Sequence, residues 1–384
     1  MIVVKILFWG SWLALFYHLL GYGALLWLIN LSKKREKTIK YLSDNQLPFV
    51  TVICAAYNEE QVIKAKIDSF LAMDYPQDKM QLIVISDDSS DQTNQIVSSF
   101  ANLNVKLLVQ KPRAGKQSAQ NLALEHIQGD LVLSTDANSI FAPDALRILV
   151  NRLYSDPKLG MVSGELKLLK KGSKQSGEGL YWRYEAWLKQ LDSKFRSIIC
   201  ANGSLFLIKR EFFGKVDPDS ADDFERTLIV LEHGYNVAYE PQACVYEEES
   251  EKASDELRRK VRIISGEWAA LSRHRRLLNP FRYPAISFLL ISHKLIRWLF
   301  FAFVICGFIS TIFLIAQPFY LFAFIAQMLV YTLGLLGLAA QNKGIHIPFT
   351  AIPAYLMAMI IASLLAFFRF LFHAQQMAFW EPIR

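Results

Sequence analysis

Residues 131–146 read LVLSTDANSIFAPDAL. The first five are apolar or small enough for a strand buried on both faces, yet the run stops on Asp136, with Asn138 two residues later. Strands buried on both faces belong to parallel sheets flanked by helices. In such sheets ligands sit beyond the carboxyl ends of the strands. A carboxylate at that point is therefore either a turn residue bonding its own backbone or an oxygen ligand on a binding edge.

The sequence around it repeats the arrangement. PFVTVICAAYN (48–58), MQLIVISDDSSD (80–91), VKLLVQ (105–110) and DLVLSTDA (130–137) are continuous apolar runs. Between them lie EEQVIKAKIDSFLAMDY (59–75), QTNQIVSSFA (92–101) and GKQSAQNLALEHI (115–127), with helical character. In the first of these Val62, Ile63, Ile67, Phe70 and Leu71 share a side. Alternating strand and helix predicts βαβ units around a mostly parallel, Rossmann-like α/β sheet. Polar residues collect where strands end: Asn58 and Glu59, then Asp87, Asp88 and Asp91, then Arg113 and Lys116, then Asp136 and Asn138.

The pattern continues past residue 150. GLYWRYEAWLKQLDSK (179–194) has aromatic residues at helical spacing, which favours core packing over sugar stacking. SIICANGSLFLIKREFF (197–213) reads as strand, glycine turn, strand, with Asn202, Gly203 and Ser204 at the turn. A glycine there lets backbone approach a ligand closely. DPDSADDFERTLIVLEHGY (217–235) opens a helix behind Asp222 and Asp223, and NVAYEPQACVYEE (236–248) is a further strand.

Bulk composition points to a membrane protein with a polar middle. Of the 384 residues 53% are hydrophobic, and the excess collects at the two ends. Residues 3–30 carry one lysine and exceed the ~20 needed to cross a bilayer. They are too long and too rich in Trp, Tyr and Leu for a cleaved leader. The cluster Lys33, Lys34, Arg35, Lys37, Lys40 follows at once, placing what comes next on the cytoplasmic side. The net charge of +7 crowds beside apolar stretches, which suits an anionic leaflet rather than nucleic acid. Residues 255–283 put Leu257, Val261, Ile264, Trp268 and Leu271 on one stripe among Arg and Lys, as in a helix lying in a membrane interface. Residues 285–300 extend it, with His293, Lys294 and Arg297 expected near the headgroups. Three spans are expected at about 299–317, 319–340 and 350–372. The four cysteines are scattered and form no CxxC pair, so a disulfide framework, zinc site or redox motif is not supported.

The ordered set AAYNEE, SDDSSDQT, KPRAGKQSAQN, STDAN, ANGSLFLIKREFF, ADDFERTLIVLEHGYNVAYEP and RRKVRI resembles the membrane-bound family 2 glycosyltransferases, which include cellulose, chitin, hyaluronan and poly-N-acetylglucosamine synthases. The resemblance covers roughly residues 48 to 300. It implies a GT-A fold, a nucleotide-diphosphate sugar donor (a UDP-sugar first) and inversion at the anomeric carbon. It implies nucleotide-sugar contacts from Asn58, Glu59, Asp87, Arg113, Lys116, Asp136 and Arg262. A divalent ion, Mg²⁺ or Mn²⁺, falls to Asp136 with Asn138; the family's second carboxylate is here an amide, which ligates without charge. The base that takes the acceptor proton falls to Asp223, with Asp222 beside it. Asn202, Gly203 and Ser204 are left to contact sugar. Where processive members carry Gln-x-x-Arg-Trp, this chain has Arg259, Arg262 and Ile263, which removes the stacking Trp.

The expected organisation is an N-terminal transmembrane helix at 1–32, a GT-A domain at 45–252, amphipathic interfacial helices at 253–298 and a C-terminal transmembrane region at 299–384. The expected product is a glycan or lipid-linked acceptor extended at the cytoplasmic face of the cell membrane. A non-catalytic membrane-bound sugar-nucleotide sensor, or a subunit of a polysaccharide assembly complex, is the alternative; Asn138 is its support and the retained Asp136 and Asp223 speak against it.

Overall fold

The computed structural model describes residues 1–33, 39, 41–169, 180–248, 253–341, 345 and 347–372. Most of the cationic cluster after the first apolar stretch (Lys34, Arg35, Lys37, Lys40) lies outside these residues. Two compact units are drawn from 1–28, 250–268 and 287–374 on one side and from 29–249 and 269–286 on the other. The stretch expected as interfacial, 253–298, contributes to both.

The chain opens with helices α1 (Ile2–Phe16) and α2 (Tyr22–Leu31), joined through a π-type turn at Tyr17–Gly21 into one apolar rod. The second unit is built on an eight-stranded mixed sheet. Its strands are β1 (Val50–Ala56), β2 (Met80–Asp87), β3 (Val105–Gln110), β4 (Leu131–Asp136), β5 (Ile140–Phe141), β6 (Leu159–Leu169), β7 (Leu205–Lys209) and β8 (Asn236–Glu248). The spatial order is β3-β2-β1-β4-β7-β6-β8-β5. β3, β2, β1 and β4 run parallel, joined by α3 (Ile63–Leu71), α4 (Thr93–Ser98) and α5 (Lys116–Leu122). The apolar runs become strands because helices cover both faces: every residue of β1 is buried. One core cluster joins Val50, Val52 and Cys54 to Ile63, Ile67 and Phe70 of α3 and to Leu146, Leu149 and Val150 of α6 (Ala145–Tyr154).

Direction reverses beyond β4. β7 pairs antiparallel with β4, opposing Thr135 to Leu205. The residues just before β7 therefore lie level with the end of β4. β8 pairs with β5 so that Ile140 faces Tyr246, bringing Glu247 level with Ser139. Helices α7 (Leu180–Phe195) and α8 (Asp222–Glu232) complete the unit. One expectation fails: residues 197–204 are not a strand. There the Ser197 hydroxyl accepts the Val237 N–H at 2.8 Å, so a side chain takes a bond that a ladder partner would otherwise take.

Helix α9 (Ala253–Arg273) is followed by a 3₁₀ turn at Arg275–Leu278, by α10 (Pro284–Leu289), a π-type stretch at Leu290–Leu295 and α11 (Ile296–Trp298), and then by α12 (Phe300–Leu314), α13 (Pro318–Gln341) and α14 (Ala351–Leu371). Among the described residues three helices are long and apolar enough to cross a membrane, Ile2–Leu31, Pro318–Gln341 and Ala351–Leu371, or four if the bent pair Pro284–Trp298 and Phe300–Leu314 counts as one span. The span expected at 299–317 holds one helix, α12, which passes as a membrane span only together with the preceding Pro284–Trp298. α12 alone reaches only ~22 Å at 1.5 Å per residue, and it is bent by 60° from the preceding Pro284–Trp298. Within this unit α1 and α14 pack on α12, and α13 packs on α14. A Cβ on Gly337 would lie 2.8 Å from Cβ of Thr350 and 2.9 Å from Cβ of Ala354, so only glycine permits that approach.

His293 and Lys294, expected near the headgroups, are buried within the protein, at 5% and 8% exposure. For Lys294 the partner is Glu267 of α9. Its carboxylate accepts from Lys294 Nζ and, at 2.9 Å, from Trp298 Nε1. Trp268 packs against Trp298 and stacks on Phe370, at ring-centroid distances of 4.8 and 5.7 Å. The stripe read as lipid-facing thus includes a tryptophan used in helix packing.

Candidate active site

The register of β1, β2 and β4 brings their carboxyl ends level, and the polar residues named at those ends meet there. Asp87 closes β2 and is buried. Its Oδ1 accepts from the Ala114 N–H at 2.8 Å and from Gln110 Nε2 at 2.5 Å; its Oδ2 accepts from the Gly115 N–H at 2.8 Å. This one carboxylate therefore shapes the loop that leads into α5. Arg113 of that loop lies with its guanidinium 3.6 Å from the ring centre of Tyr57, beyond β1, a cation–π contact. Its Nε is 3.9 Å from Asp87 Oδ2.

The loops after β1 and β2 hold each other. Asn58, in the left-handed region at φ 52°, donates its N–H to Ser89 Oγ at 3.1 Å and accepts the Ser90 N–H on Oδ1 at 2.8 Å. Glu59 is buried and donates its N–H to Thr93 Oγ1 at 2.8 Å. The Glu60 N–H donates to Asp91 Oδ2 while Glu60 Oε2 accepts the Gln92 N–H, at 3.1 and 3.0 Å. Asp91 Oδ1 also accepts the Thr93 N–H at 3.0 Å. Asp91 thus closes an Asx turn just before α4.

Lys116 is the junction. Its Nζ donates to Asp136 Oδ1 at 2.7 Å and lies 3.7 Å from Asp222 Oδ1. Burial works against its charge, but Asp136, Asp222 and Asp223 outweigh burial and hold Lys116 well above its usual value. Burial likewise opposes the Asp136 charge, and Lys116 and Ser204 outweigh it, so Asp136 is held below the carboxylate range. The second oxygen of Asp136 is 3.0 Å from Ser204 Oγ, which is also 2.7 Å from Glu247 Oε1. Asn138 is exposed on the turn two residues on.

Asp222 and Asp223 open α8 but differ in surroundings. Asp222 is buried and accepts from Gln120 Nε2 at 3.0 Å. Asp223 is half-buried; its Oδ1 accepts the Phe224 N–H at 2.8 Å. Its Oδ2 lies 3.2 Å from the position a Cβ would take on Gly203. Asn202 accepts the Ser204 N–H on Oδ1 at 3.3 Å, closing the turn. Asp87, Lys116, Asp136, Asn138, Asn202, Gly203, Ser204, Asp222 and Asp223 thus form one neighbourhood. Arg262 lies on α9, in the part that belongs to the other unit.

Sequence reading missed five members: Lys66, Gln120, Ser139, Arg226 and Glu247. Lys66 of α3 is fully buried; its Nζ donates to Thr135 Oγ1 at 2.7 Å and to the Ser139 carbonyl at 2.5 Å, and lies 3.4 Å from the ring centre of Phe141. Burial pushes its ammonium down to about 7. Ser139 donates to Glu247 Oε1 at 2.6 Å. Gln120 ties Asp222 to Arg226, whose guanidinium packs over Phe213 at 3.5 Å. No spacing rule marks these residues, since their partners lie far away along the chain.

The donor set suits a hard divalent cation: a part-exposed carboxylate, an exposed amide oxygen and a surplus of acid over base. Among the described residues no three His, Cys, Asp or Glu converge to hold a metal by themselves. Any ion there must draw further oxygens from a ligand such as a diphosphate.

The family model for "Glycosyl transferase family 2" matches residues 51–217. "Probable glycosyltransferase YdaM" of Bacillus subtilis (strain 168) is 29% identical over 258 residues, covering 62% of this chain and 60% of that protein. "Poly-beta-1,6-N-acetyl-D-glucosamine synthase" of Staphylococcus aureus (strain COL) is 27% identical over 211 residues, covering 53% and 50%. The chain therefore spans about half to three-fifths of the curated relatives it matches. Among solved structures, mannosyltransferase PcManGT from Pyrobaculum calidifontis, in complex with GDP-Man and Mn2+, superposes with a TM-score of 0.66 at 23% identity. That match covers 94% of this chain and 97% of the other and is a likeness of fold.

Proposed function

We propose that the chain, whose residues 51–217 match the glycosyl transferase family 2 model and whose fold is like that of a solved mannosyltransferase, transfers a hexosyl group from a nucleoside-diphosphate sugar, with inversion, to a glycan or lipid-linked acceptor. A UDP-sugar is the first donor to test. The observation that carries the reading is the convergence of Asp136 and Asp222 on Lys116, with Asp223 beside the Gly203 turn.

Inverting transfer is one displacement. The acceptor oxygen forms a bond to the anomeric carbon as the bond from that carbon to the phosphate oxygen breaks, and the nucleoside diphosphate leaves. The acceptor proton goes to Oδ2 of Asp223. Asp223 suits this better than Asp222, because Asp222 is buried against Gln120 and Lys116. Lys116 answers the charge that grows on the leaving diphosphate. Asp87 shapes the loop carrying Arg113 and Lys116, and Arg113 with Tyr57 offers a flat cationic surface to the nucleoside. Asn58 and Glu59 brace that side. A divalent cation, Mg²⁺ or Mn²⁺, would be held by Asp136 and Asn138 and would neutralise the diphosphate when bound. Ser204 and Asn202 fix the turn where sugar meets base, and Arg262 is a further candidate for the diphosphate.

We place the domain on the cytoplasmic face of the cell membrane, in a multi-pass protein. Support comes from the apolar helices and from the cationic run that follows the first of them. Ile263, in place of a stacking aromatic, favours single transfer over polymerisation. The deciding experiment is release of free nucleotide from a panel of nucleotide sugars by the purified full chain, with anomeric configuration read by NMR and product length by gel. Absence of release from every donor, with a lipid extract supplied as acceptor, would overturn the enzymatic reading in favour of a sensor.

A further inference from the structure

The turn between α9 and α10 carries the most exposed large apolar side chain among the described residues. Phe281 is 97% exposed. Its position is built: Asn279 Oδ1 accepts the Phe281 N–H at 3.0 Å. The Asn279 carbonyl accepts from Arg282 and Tyr283 at 3.2 and 2.9 Å.

The cations around it fall into two sets. Arg273, His274 and Arg276 point inward onto α8 and the segment before it. Arg273 forks onto Glu225 at 3.0 and 3.1 Å and reaches Asp219 at 3.1 Å. Arg276 forks onto Glu232 at 2.5 Å, and His274 Nδ1 lies 2.9 Å from the same carboxylate. Arg275 and Arg282 are exposed and flank Phe281. The sequence holds no Asp or Glu between Glu267 and Glu381, so the outward face of the turn carries no acid of its own. The chain passes directly from this turn into Pro284, the first residue of the bent apolar pair.

An exposed aromatic ring on a turn that also carries two exposed arginines, with an apolar segment following, matches the boundary between phosphate headgroups and acyl chains. We propose that the 275–283 turn inserts Phe281 beneath the headgroups of an anionic leaflet, with Arg275 and Arg282 on lipid phosphates. This rests on reading the apolar helices as membrane spans, and the test separates the two.

The full chain is placed in nanodiscs of phosphatidylcholine with or without phosphatidylglycerol. An environment-sensitive fluorophore is attached at Phe281→Cys or, as control, at Phe322→Cys of α13, which is 72% exposed. The wild-type chain, with its buried or half-buried cysteines, is the labelling blank. Quenching by lipids brominated on the acyl chain is expected at both positions. At 281 it should be at least about two-fold stronger with phosphatidylglycerol, and Arg275→Gln with Arg282→Gln should abolish that difference. Quenching at 322 with none at 281 overturns the insertion. Quenching at neither position overturns the membrane reading and the insertion with it. Equal quenching at 281 in both lipids removes the arginine–phosphate contact from the proposal.

Discussion

Lys116 places its ammonium 2.7 Å from Oδ1 of Asp136. A divalent cation held by Asp136, as proposed, would compete with the lysine for that oxygen. Lys116→Met is expected to strengthen Mn²⁺ binding in the absence of nucleotide, read by electron paramagnetic resonance of free Mn²⁺. The same variant should weaken nucleoside diphosphate binding about 10- to 100-fold by calorimetry, since a hydrogen bond to a charged group contributes ~1.5–3 kcal/mol. Unchanged Mn²⁺ affinity would remove the competition.

Asp222 and Asp223 are adjacent but should respond differently. Asp223→Asn is expected to lower kcat about 10²- to 10⁴-fold, the usual contribution of a general base, with donor binding within about two-fold. Asp222→Asn removes a buried charge facing Lys116 and Gln120, so its first effect should be a lower Tm. Near-normal turnover in Asp223→Asn would exclude it as the base.

A methyl group at Gly203 would crowd the proposed base. A Cβ there would meet Asp223 Oδ2 at 3.2 Å. The φ at this position is not left-handed, so alanine adds crowding without backbone strain. Gly203→Ala should reduce kcat about ten-fold while Tm changes little. An equal fall in both would assign the glycine to folding.

His274 lies between Glu225 and Glu232. Burial opposes its charge, but the two carboxylates outweigh burial and raise it above its usual value. A raised histidine adds stability that is complete below about pH 6.5 and is lost as pH rises through the folded value. Glu225 works in the opposite direction. Burial opposes its ionisation, yet His274, Arg273 and Ser220 pull it down to about 2. Its contribution is present above about pH 4.5 and lost on acidification towards 2. Tm should therefore decline as pH rises from 6.5, and His274→Gln should flatten that limb while leaving the acid limb. A wild-type Tm that is level from 6.5 to 9 would contradict this.

The pair of Lys294 and Glu267 is buried among apolar helices. Removing one partner of such a pair costs ~3–5 kcal/mol, whereas replacing both by apolar groups is often neutral. Glu267→Leu should lower detergent-solubilised Tm markedly, and adding Lys294→Met should recover most of the loss. A double variant no better than the single one would mean that the Trp298 bond to Glu267 dominates.

The sheet and much of the site were legible because both follow short-range rules. Apolar runs such as Val50–Ala56 declare strands, and Asp87, Lys116 and Asp136 stand where a parallel sheet exposes its strand ends. β6 was not legible: Gly160, Gly164, Glu165 and Lys167 interrupt its pattern, and its burial comes from pairing with β7 and β8. Nothing in the sequence marked Lys66, and Lys294 was expected near the headgroups, because their partners, Thr135 and Glu267, are set by tertiary structure alone. The same holds for Glu247, which reaches Ser204 only through the register of β5 against β8.

The reciprocal bonds between Glu60 and the Asp91–Gln92 segment, with Asn58 bridging Ser89 and Ser90, have a thermodynamic consequence. Two loops that would otherwise wander are already ordered when the chain folds, so a nucleotide docking against them, as proposed, would surrender little chain entropy. Discrimination among donors on that side must then come from shape and hydrogen-bond chemistry, and the heat of binding, more than the affinity, should change when one nucleobase is exchanged for another.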